Sequence, residues 1–177
     1  TRQFELMTRR LDGGAADIAE IHARLSRALD VPPGCNGLRL GPLPGDETER
    51  CEAVGQALAD GHTPAAVYRA ILEAVAGAEM RLVERARQAG ARPTRFITTG
   101  GGAVNRAFAQ ILASALNAPV EMGHSEGGIL GAGMAAAAGA GWYPSLEAAL
   151  AGMGAPGPVV APEPEGVDFY ARTVQQL

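Results

Sequence analysis

The sequence predicts an α/β domain in which helices cover a sheet, and three observations carry that reading. Short apolar strand candidates alternate with helical stripes along the 177 residues. Hydrophobic residues in the longer segments recur at three- and four-residue spacing. Glycine and proline clusters punctuate the boundaries. The length suits one domain, 1–177, because a folded chain of this size buries roughly 70% of the surface that its unfolded form exposes. A content of 47% hydrophobic and 19% charged residues is that of a globular core rather than a disordered chain. Aromatics make up only 5%, so the core should rest on small residues and close helix packing.

In chain order, Phe4, Leu6 and Leu11 suggest a first short strand. Gly13-Gly14 then leads into a helix over about 15–29, with Ile18, Ile21, Leu25 and Leu29 on one face. Between Val31 and Gly45 the chain collects Pro32, Pro33, Gly34, Gly37, Gly41, Pro42 and Pro44, which reads as an irregular loop, a lid or an ordered substrate loop. A short helix over about 49–59 follows. Thr63-Pro64 reads as an N-cap with proline in the first turn. From there Val67, Tyr68, Ile71, Leu72, Val75, Met80 and Val83 carry a helical stripe to a stop at Gly90. A strand at 95–99, centred on Phe96 and Ile97, runs straight into Gly100-Gly101-Gly102. The next helix sets Phe108, Ile111, Leu112, Ala115 and Leu116 on its apolar side. A second strand at 119–122 precedes a small-residue helix from Gly127, and Ser145 starts another. The remainder, 154–177, reads as a linker and a closing C-terminal helix. There is no internal repeat.

Composition also excludes function classes. The net charge of −4 argues against a nucleic-acid or membrane-surface binder, which would present clustered positive charge. All 15 basic residues are arginine, so chemistry built on a P-loop, Schiff-base or kinase-strand lysine is impossible within this chain. Cys35 and Cys51 have no partnered spacing, and His22, His62 and His124 are scattered without zinc-site spacing. Two idle thiols fit a reducing cytoplasm. Arg2, Glu5, Arg9, Arg10, Asp12 and Asp17 interrupt any apolar core of a secretory signal. The low-charge run 127–141 is too short and too glycine-rich to span a bilayer, so it is expected to form a buried helix. The chain opens on Thr1 rather than Met, as a cut or processed piece would.

The chemistry-bearing segment is Thr98-Thr99-Gly100-Gly101-Gly102-Ala103-Val104-Asn105. Glycines between a strand end and a helix start let backbone approach a ligand where a Cβ would collide. The helix start adds unpaired N–H groups that suit a phosphate or a polar nucleotide edge. A tight strand-to-helix turn with no ligand would use the same residues. The dinucleotide spacing Gly-x-Gly-x-x-Gly fails at Asn105.

The surrounding pattern resembles the C-terminal domain of the FGGY carbohydrate kinases, in the actin/hexokinase-like ATPase superfamily. Gly101, Gly102, Ala103, Asn105, Gln110, Ala113, Pro119 and Val120 match that family's strand, glycine cluster, helix and Pro-Val run. Glu126 and the Gly-Ala-rich run to Gly141 are similar to its next segment, and Tyr68-Arg69-Ala70-Ile71-Leu72-Glu73 to the helix before it. The match is strongest over 63–153. The resemblance implies a ribonuclease-H-like lobe, a mixed sheet with helices on both faces, and an ATP site at the glycine turn. By it Gly100, Gly101, Gly102 and Ala103 would line the nucleotide and Asn105 would reach the adenine. Helix capping is the alternative role for Asn105. Gln110 suits a structural hydrogen bond, Glu126 a helix cap, and Arg69 with Glu73 a solvated or inter-element ion pair.

The departures bear on activity. A kinase of this family has two lobes, and its catalytic Asp and sugar site lie on the N-terminal one, for which no match precedes residue 1. Asp12 stands before Gly13-Gly14, but Asp17, Glu20, His22 and Arg24 follow it where the family has a small apolar helix. Asp12 therefore reads as an ordinary turn aspartate. The expectation is the ATP-binding lobe of a Mg2+- and ATP-dependent sugar or polyol kinase, with no catalytic residue in this chain and a possible homo-oligomer. A catalytically silent nucleotide-binding or scaffold domain is the other class compatible with these features.

Overall fold

The computed structural model describes residues 26–41 and 46–173. The expected first strand, Asp12, the Gly13-Gly14 turn and most of the 15–29 helix lie outside the described residues.

Local chemistry sets most of the elements. α1 (Glu47–Ala59) starts at Asp46, whose carboxylate accepts the Thr48 N–H at 2.6 Å. α2 (Pro64–Gln88) starts at Thr63, whose hydroxyl accepts the Ala66 N–H at 3.2 Å, with Pro64 in the first turn as expected. It stops where Gly90 turns left-handed at φ +94°. β1 (Phe96–Thr98) follows, then a 3-10 turn over Gly100–Ala103 and α3 (Arg106–Leu116). Asn117, left-handed at φ 48°, ends α3 and sends the chain into β2 (Val120–Met122). α4 (Gly127–Gly139) leads to α5 (Leu146–Met153), where the Ser145 hydroxyl accepts the Ala148 N–H at 3.2 Å. β3 (Val159–Val160) and α6 (Pro164–Thr173) complete the described chain.

The three-stranded sheet has the order β1-β2-β3. β1 and β2 are parallel, with Phe96 opposite Val120 and Thr98 opposite Met122, while β3 pairs antiparallel to β2. Alternation sorts the faces. Val120, Val160, Thr98 and Met122 are buried on the side that α3 covers, whereas Ile97 and Val159 are 47% and 63% exposed. β3 corrects the expectation that 154–177 holds only a linker before its closing helix. Gly157 makes the pairing possible, because a Cβ there would sit 1.6 Å from the Met122 carbonyl oxygen. Its N–H donates to Glu121 at 3.2 Å, and the Met122 N–H donates to the Pro158 carbonyl at 2.9 Å. Arg95, and then the Gly157 N–H, hold the Glu121 carboxyl below its ordinary range.

The core lies where α2, α3 and α6 meet, and it includes Val67, Tyr68, Ile71, Ile111, Val120 and Tyr170. Its polar centre is the Arg69–Glu73 pair, at 2.9 Å with side chains only 6% and 4% exposed. The two residues do pair, but the expectation of a solvated or inter-element pair is corrected: both lie on α2 and the pair is buried within the core. Glu73 accepts the Gly34 N–H at 3.0 Å and the Tyr170 hydroxyl at 2.8 Å. Arg69 donates to the carbonyls of Ala28 and Val31 and to the Tyr170 hydroxyl. These bonds explain two local departures. The described end of the 15–29 helix is a 3-10 helix over Ser26–Asp30, whose Ala28 carbonyl, with that of Val31 just beyond it, turns to the guanidinium. The 31–45 loop, in its described part, is pinned through Gly34 and a 3-10 turn over Cys35–Gly37.

α4 departs from expectation in its surroundings. It is apolar all round, yet among its residues only Met134 and Ala137 are buried, because within the described residues it packs chiefly on α5. Among the described residues no helix is long and apolar enough to cross a membrane. Cys35 and Cys51 are not joined in a disulfide.

Glu73→Gln removes one charge of a buried pair and leaves Arg69 uncompensated, so stability should fall by about 3–5 kcal/mol in urea unfolding. Glu84→Gln on α2 disrupts the exposed Arg87–Glu84 pair, at 4.0 Å, and should change stability by no more than about 1 kcal/mol. Burial, and then the Glu73 charge, pushes the Cys35 thiol well up. The thiolate is the reactive form. Iodoacetamide at pH 8 should therefore leave Cys35 unmodified in the folded chain and label it in urea, read by peptide mass spectrometry.

Candidate functional site

β1 and β2 run parallel and end side by side, and each leaves its carboxyl end through a loop that contains glycine. From β1 the chain passes through Thr99 and the Gly100–Ala103 turn to Asn105 and α3. From β2 it passes through Gly123, His124, Ser125 and Glu126 to α4. The loops are tied together. The Gly100 N–H donates to the His124 carbonyl at 3.2 Å, and the Gly123 N–H donates to the Thr98 carbonyl at 2.9 Å. Ligands of open α/β sheets bind outside the carboxyl ends of such strands.

Within the turn, each glycine has a different role. Gly100 holds the left-handed backbone, at φ +62°, and an added Cβ would meet no heavy atom within 4 Å. Gly101 is exposed on the outside of the turn. Gly102 lies closer in, where a Cβ would touch Phe108 and Thr98 at 3.4 Å. Ala103 is 8% exposed and points to the core. The turn thus offers open backbone at Gly100 and Gly101, flanked by exposed Thr99 and by Val104, which is 68% exposed.

The 3-10 turn delays α3 relative to expectation, so Asn105 is its N-cap rather than a first-turn residue. The Asn105 Oδ1 accepts the Phe108 N–H at 3.0 Å, which is the capping role the residue type allowed. Its Nδ2 donates to the Tyr68 hydroxyl at 2.8 Å. An amide carries two donor hydrogens and two acceptor positions, so one of each is left after these bonds. Tyr68 is 1% exposed; burial pushes its hydroxyl up to about 12, and the Asn105 bond works against that shift.

Gln110 donates to the Ala161 carbonyl at 2.7 Å and ties α3 to the segment after β3, the structural bond expected of it. Glu126 occupies the N-cap position of α4, and its carbonyl accepts the Leu130 N–H at 3.0 Å, but its side chain caps none of the helix N–H groups. At φ −103° and ψ 38° its backbone is outside the extended region that aims a capping side chain. Two features escaped the sequence reading. Tyr68 fell within an apolar stripe and read as core. Of the Gly123–Glu126 loop only Glu126 was singled out, as a cap, and its place beside the glycine turn was not legible. A cavity of about 220 Å³ lies elsewhere, lined by Arg69, Gln110, Ser114, Glu163 and Tyr170 among others, and no residue of 100–105 reaches it. Among the described residues no three His, Cys, Asp or Glu side chains converge as a metal site.

The sequence model of the FGGY family of carbohydrate kinases, C-terminal domain, matches residues 27–140. The chain belongs to the FGGY family of carbohydrate kinases. The match begins well before Thr63, so the pinned segment around Gly34 is part of the family pattern as well. A xylulose kinase of Staphylococcus epidermidis (strain ATCC 35984) is 29% identical over 156 residues, covering 84% of this chain and 31% of that protein. A xylulose kinase of Bacillus subtilis (strain 168) is 33% identical over 126 residues, covering 66% of this chain and 25% of that protein. The crystal structure of xylulose kinase from Rhodospirillum rubrum superposes with a TM-score of 0.73 at 26% identity, over 98% of this chain and 36% of that one. The fold is therefore that of the FGGY kinases, of the actin/hexokinase-like type, and this chain spans about a third or less of the length of the relatives it matches.

In this FGGY domain Asn105→Ala removes the α3 cap and should destabilise by about 0.5–2 kcal/mol. Asn105→Asp keeps the cap and should recover most of that loss, as thermal unfolding of the two variants would show.

Proposed function

We propose that this chain, 1–177, is the adenine-nucleotide lobe of a two-lobed sugar kinase. The whole enzyme would transfer the γ-phosphoryl of ATP to a hydroxyl of a sugar or polyol. The xylulose kinases among its relatives make xylulose the first substrate to try. The observation that supports this reading best is the open glycine turn at the carboxyl ends of two parallel strands, with a partly committed amide beside it.

The residues present fit an adenine nucleotide. Backbone is open at Gly100, where a Cβ would meet no heavy atom within 4 Å, and exposed at Gly101, so a flat group could approach it and a side chain there would take up that room. Val104 offers an apolar flank. Asn105 keeps one donor and one acceptor for a purine edge, which carries both. ATP, when bound, supplies the phosphoryl group. No metal cluster forms among the described residues, so a Mg2+ ion would be held by the phosphates and by residues of the other lobe. We place the base for the sugar hydroxyl on that lobe too, and assign Asp12 no catalytic role. Such catalysis is largely positioning and charge neutralisation, so a separated lobe should have little rate of its own.

The surface agrees with a partner lobe. Ile97 and Val159 are exposed on the outer sheet face, on either side of the Glu121 carboxylate, and Ile129, Trp142, Leu146 and Leu150 are exposed on and beside α4 and α5. Exposed apolar surface of this kind commonly meets another protein surface. The purified chain should therefore self-associate as its concentration rises, by light scattering.

Calorimetric titration with ADP tests the site. The wild-type chain should bind, and Gly101→Val, which puts a branched side chain where the nucleotide should lie, should abolish binding while the chain stays folded. Gln110→Ala, on the same helix, should leave affinity unchanged. Xylulose phosphorylation by the chain alone should stay at background. Turnover by the pure chain, or ADP binding that Gly101→Val leaves intact, would overturn the proposal.

A further inference from the structure

We infer that Tyr68 is the positioning residue for base recognition: its hydroxyl, held by the α2 core, fixes the Asn105 amide that faces the nucleotide. The inference rests on the nucleotide reading above and adds a residue that lies in another helix, 37 positions away along the chain.

The geometry shows why one bond is insufficient. The Phe108 N–H holds the Asn105 Oδ1 and so settles which end of the amide is oxygen. A single bond at one atom still leaves the amide free to swing about it. The second bond, from Nδ2 to the Tyr68 hydroxyl at 2.8 Å, comes from a different element and removes that freedom. Tyr68 itself cannot follow such a swing. It is 1% exposed, and its ring lies in the main cluster with Ile71, Leu72 and Ile111. Arg69, the next residue on α2, is anchored by Glu73, Tyr170 and two carbonyls, so the helix cannot slide either. The remaining N–H and acceptor position of Asn105 are therefore held in a fixed direction before any ligand arrives. Ordering a side chain in advance removes an entropic penalty from binding. It also favours a base whose donor and acceptor match that direction over one whose groups are arranged differently. Adenine and guanine differ in this way, because adenine has an amino group where guanine has a carbonyl.

Tyr68→Phe removes the hydroxyl and retains the ring, so the core volume is preserved. In the full 177-residue chain labelled with 15N, the Asn105 side-chain NH2 signals, assigned by their loss in Asn105→Ala, should shift and broaden in Tyr68→Phe. Titrations with ADP and GDP should show affinity for ADP falling about two- to tenfold in Tyr68→Phe, with a smaller preference for ADP over GDP. In the Asn105→Ala background the same change should alter neither quantity. Asn105→Asp, which keeps the α3 cap and lacks the amide N–H, should lose the base preference at near wild-type stability and needs no change in the core.

Unchanged Asn105 signals in Tyr68→Phe would overturn the inference. So would an ADP loss of equal size in both backgrounds, since a merely structural role predicts that. Loss of the signals with ADP affinity unchanged would overturn it while the nucleotide reading stands. Failure of the wild-type chain to bind ADP would overturn the nucleotide reading and this inference with it, while the NH2 signals would still report whether Tyr68 fixes Asn105.

Discussion

Two opposite charges placed 2.9 Å apart inside a protein must be hydrogen-bonded on every side, and the Arg69–Glu73 pair imposes that demand on this fold. Each bond that satisfies it recruits a different part of the chain. The carbonyls of Ala28 and Val31 turn inward to the guanidinium, the Gly34 N–H turns inward to the carboxylate, and the Tyr170 hydroxyl bridges the two. Two segments distant in sequence, 28–34 and the part of α6 around Tyr170, are thereby fixed around one turn of α2. A pair of this kind is weak support for raw stability but a strong restriction on geometry, because any other arrangement leaves a charge bare. Cys35 lies on the same network, with its Sγ 3.8 Å from Glu73.

The consequence reaches the candidate site through helix packing. α2 is held by the ion pair, α3 packs on α2, and α6 packs on α3 through small residues. Gly166 shows how close that contact is: a Cβ there would lie 2.8 Å from the Ser114 side chain. α3 in turn covers the inner face of the sheet and starts where β1 ends. The glycine turn thus sits between a rigid strand end and a helix whose cap is bonded to the core through Tyr68. Open backbone is placed on a stiff frame, an arrangement suited to a site that must hold a ligand in one orientation.

The frame is finished on one side only. The α2–α3–α6 side has its polar groups bonded and its apolar groups buried, whereas the outer sheet face and α4 expose Ile97, Val159 and Ile129. A composition rich in alanine and glycine makes α4 a smooth surface that another helix could approach closely. The relatives are nearly three times the length of this chain. Both facts support the proposed reading of a lobe covered by further protein.

What the sequence determined by itself was local. The caps at Thr63 and Ser145, the proline in the first turn of α2 and the stop at Gly90 appear where side-chain chemistry within a few residues requires them. The strand at Phe96 and the three-four periodicity of α2 and α3 were legible for the same reason: propensity and capping act over one helical turn. The glycine turn was legible as a place where backbone is bared, and the surrounding residues sufficed to identify the family. Other features needed the tertiary structure. A carboxylate and a guanidinium four residues apart look alike in sequence whether they face water or a core, and only packing buried Arg69 and Glu73. The amide of Asn105 could cap a helix or face a ligand, and its orientation depends on a tyrosine brought to it from 37 residues away. Val159-Val160 became a strand because β2 had a free edge and Gly157 let the chain approach. Desolvation and the choice of hydrogen-bond partner depend on groups distant in sequence, so they are set only when the chain has folded.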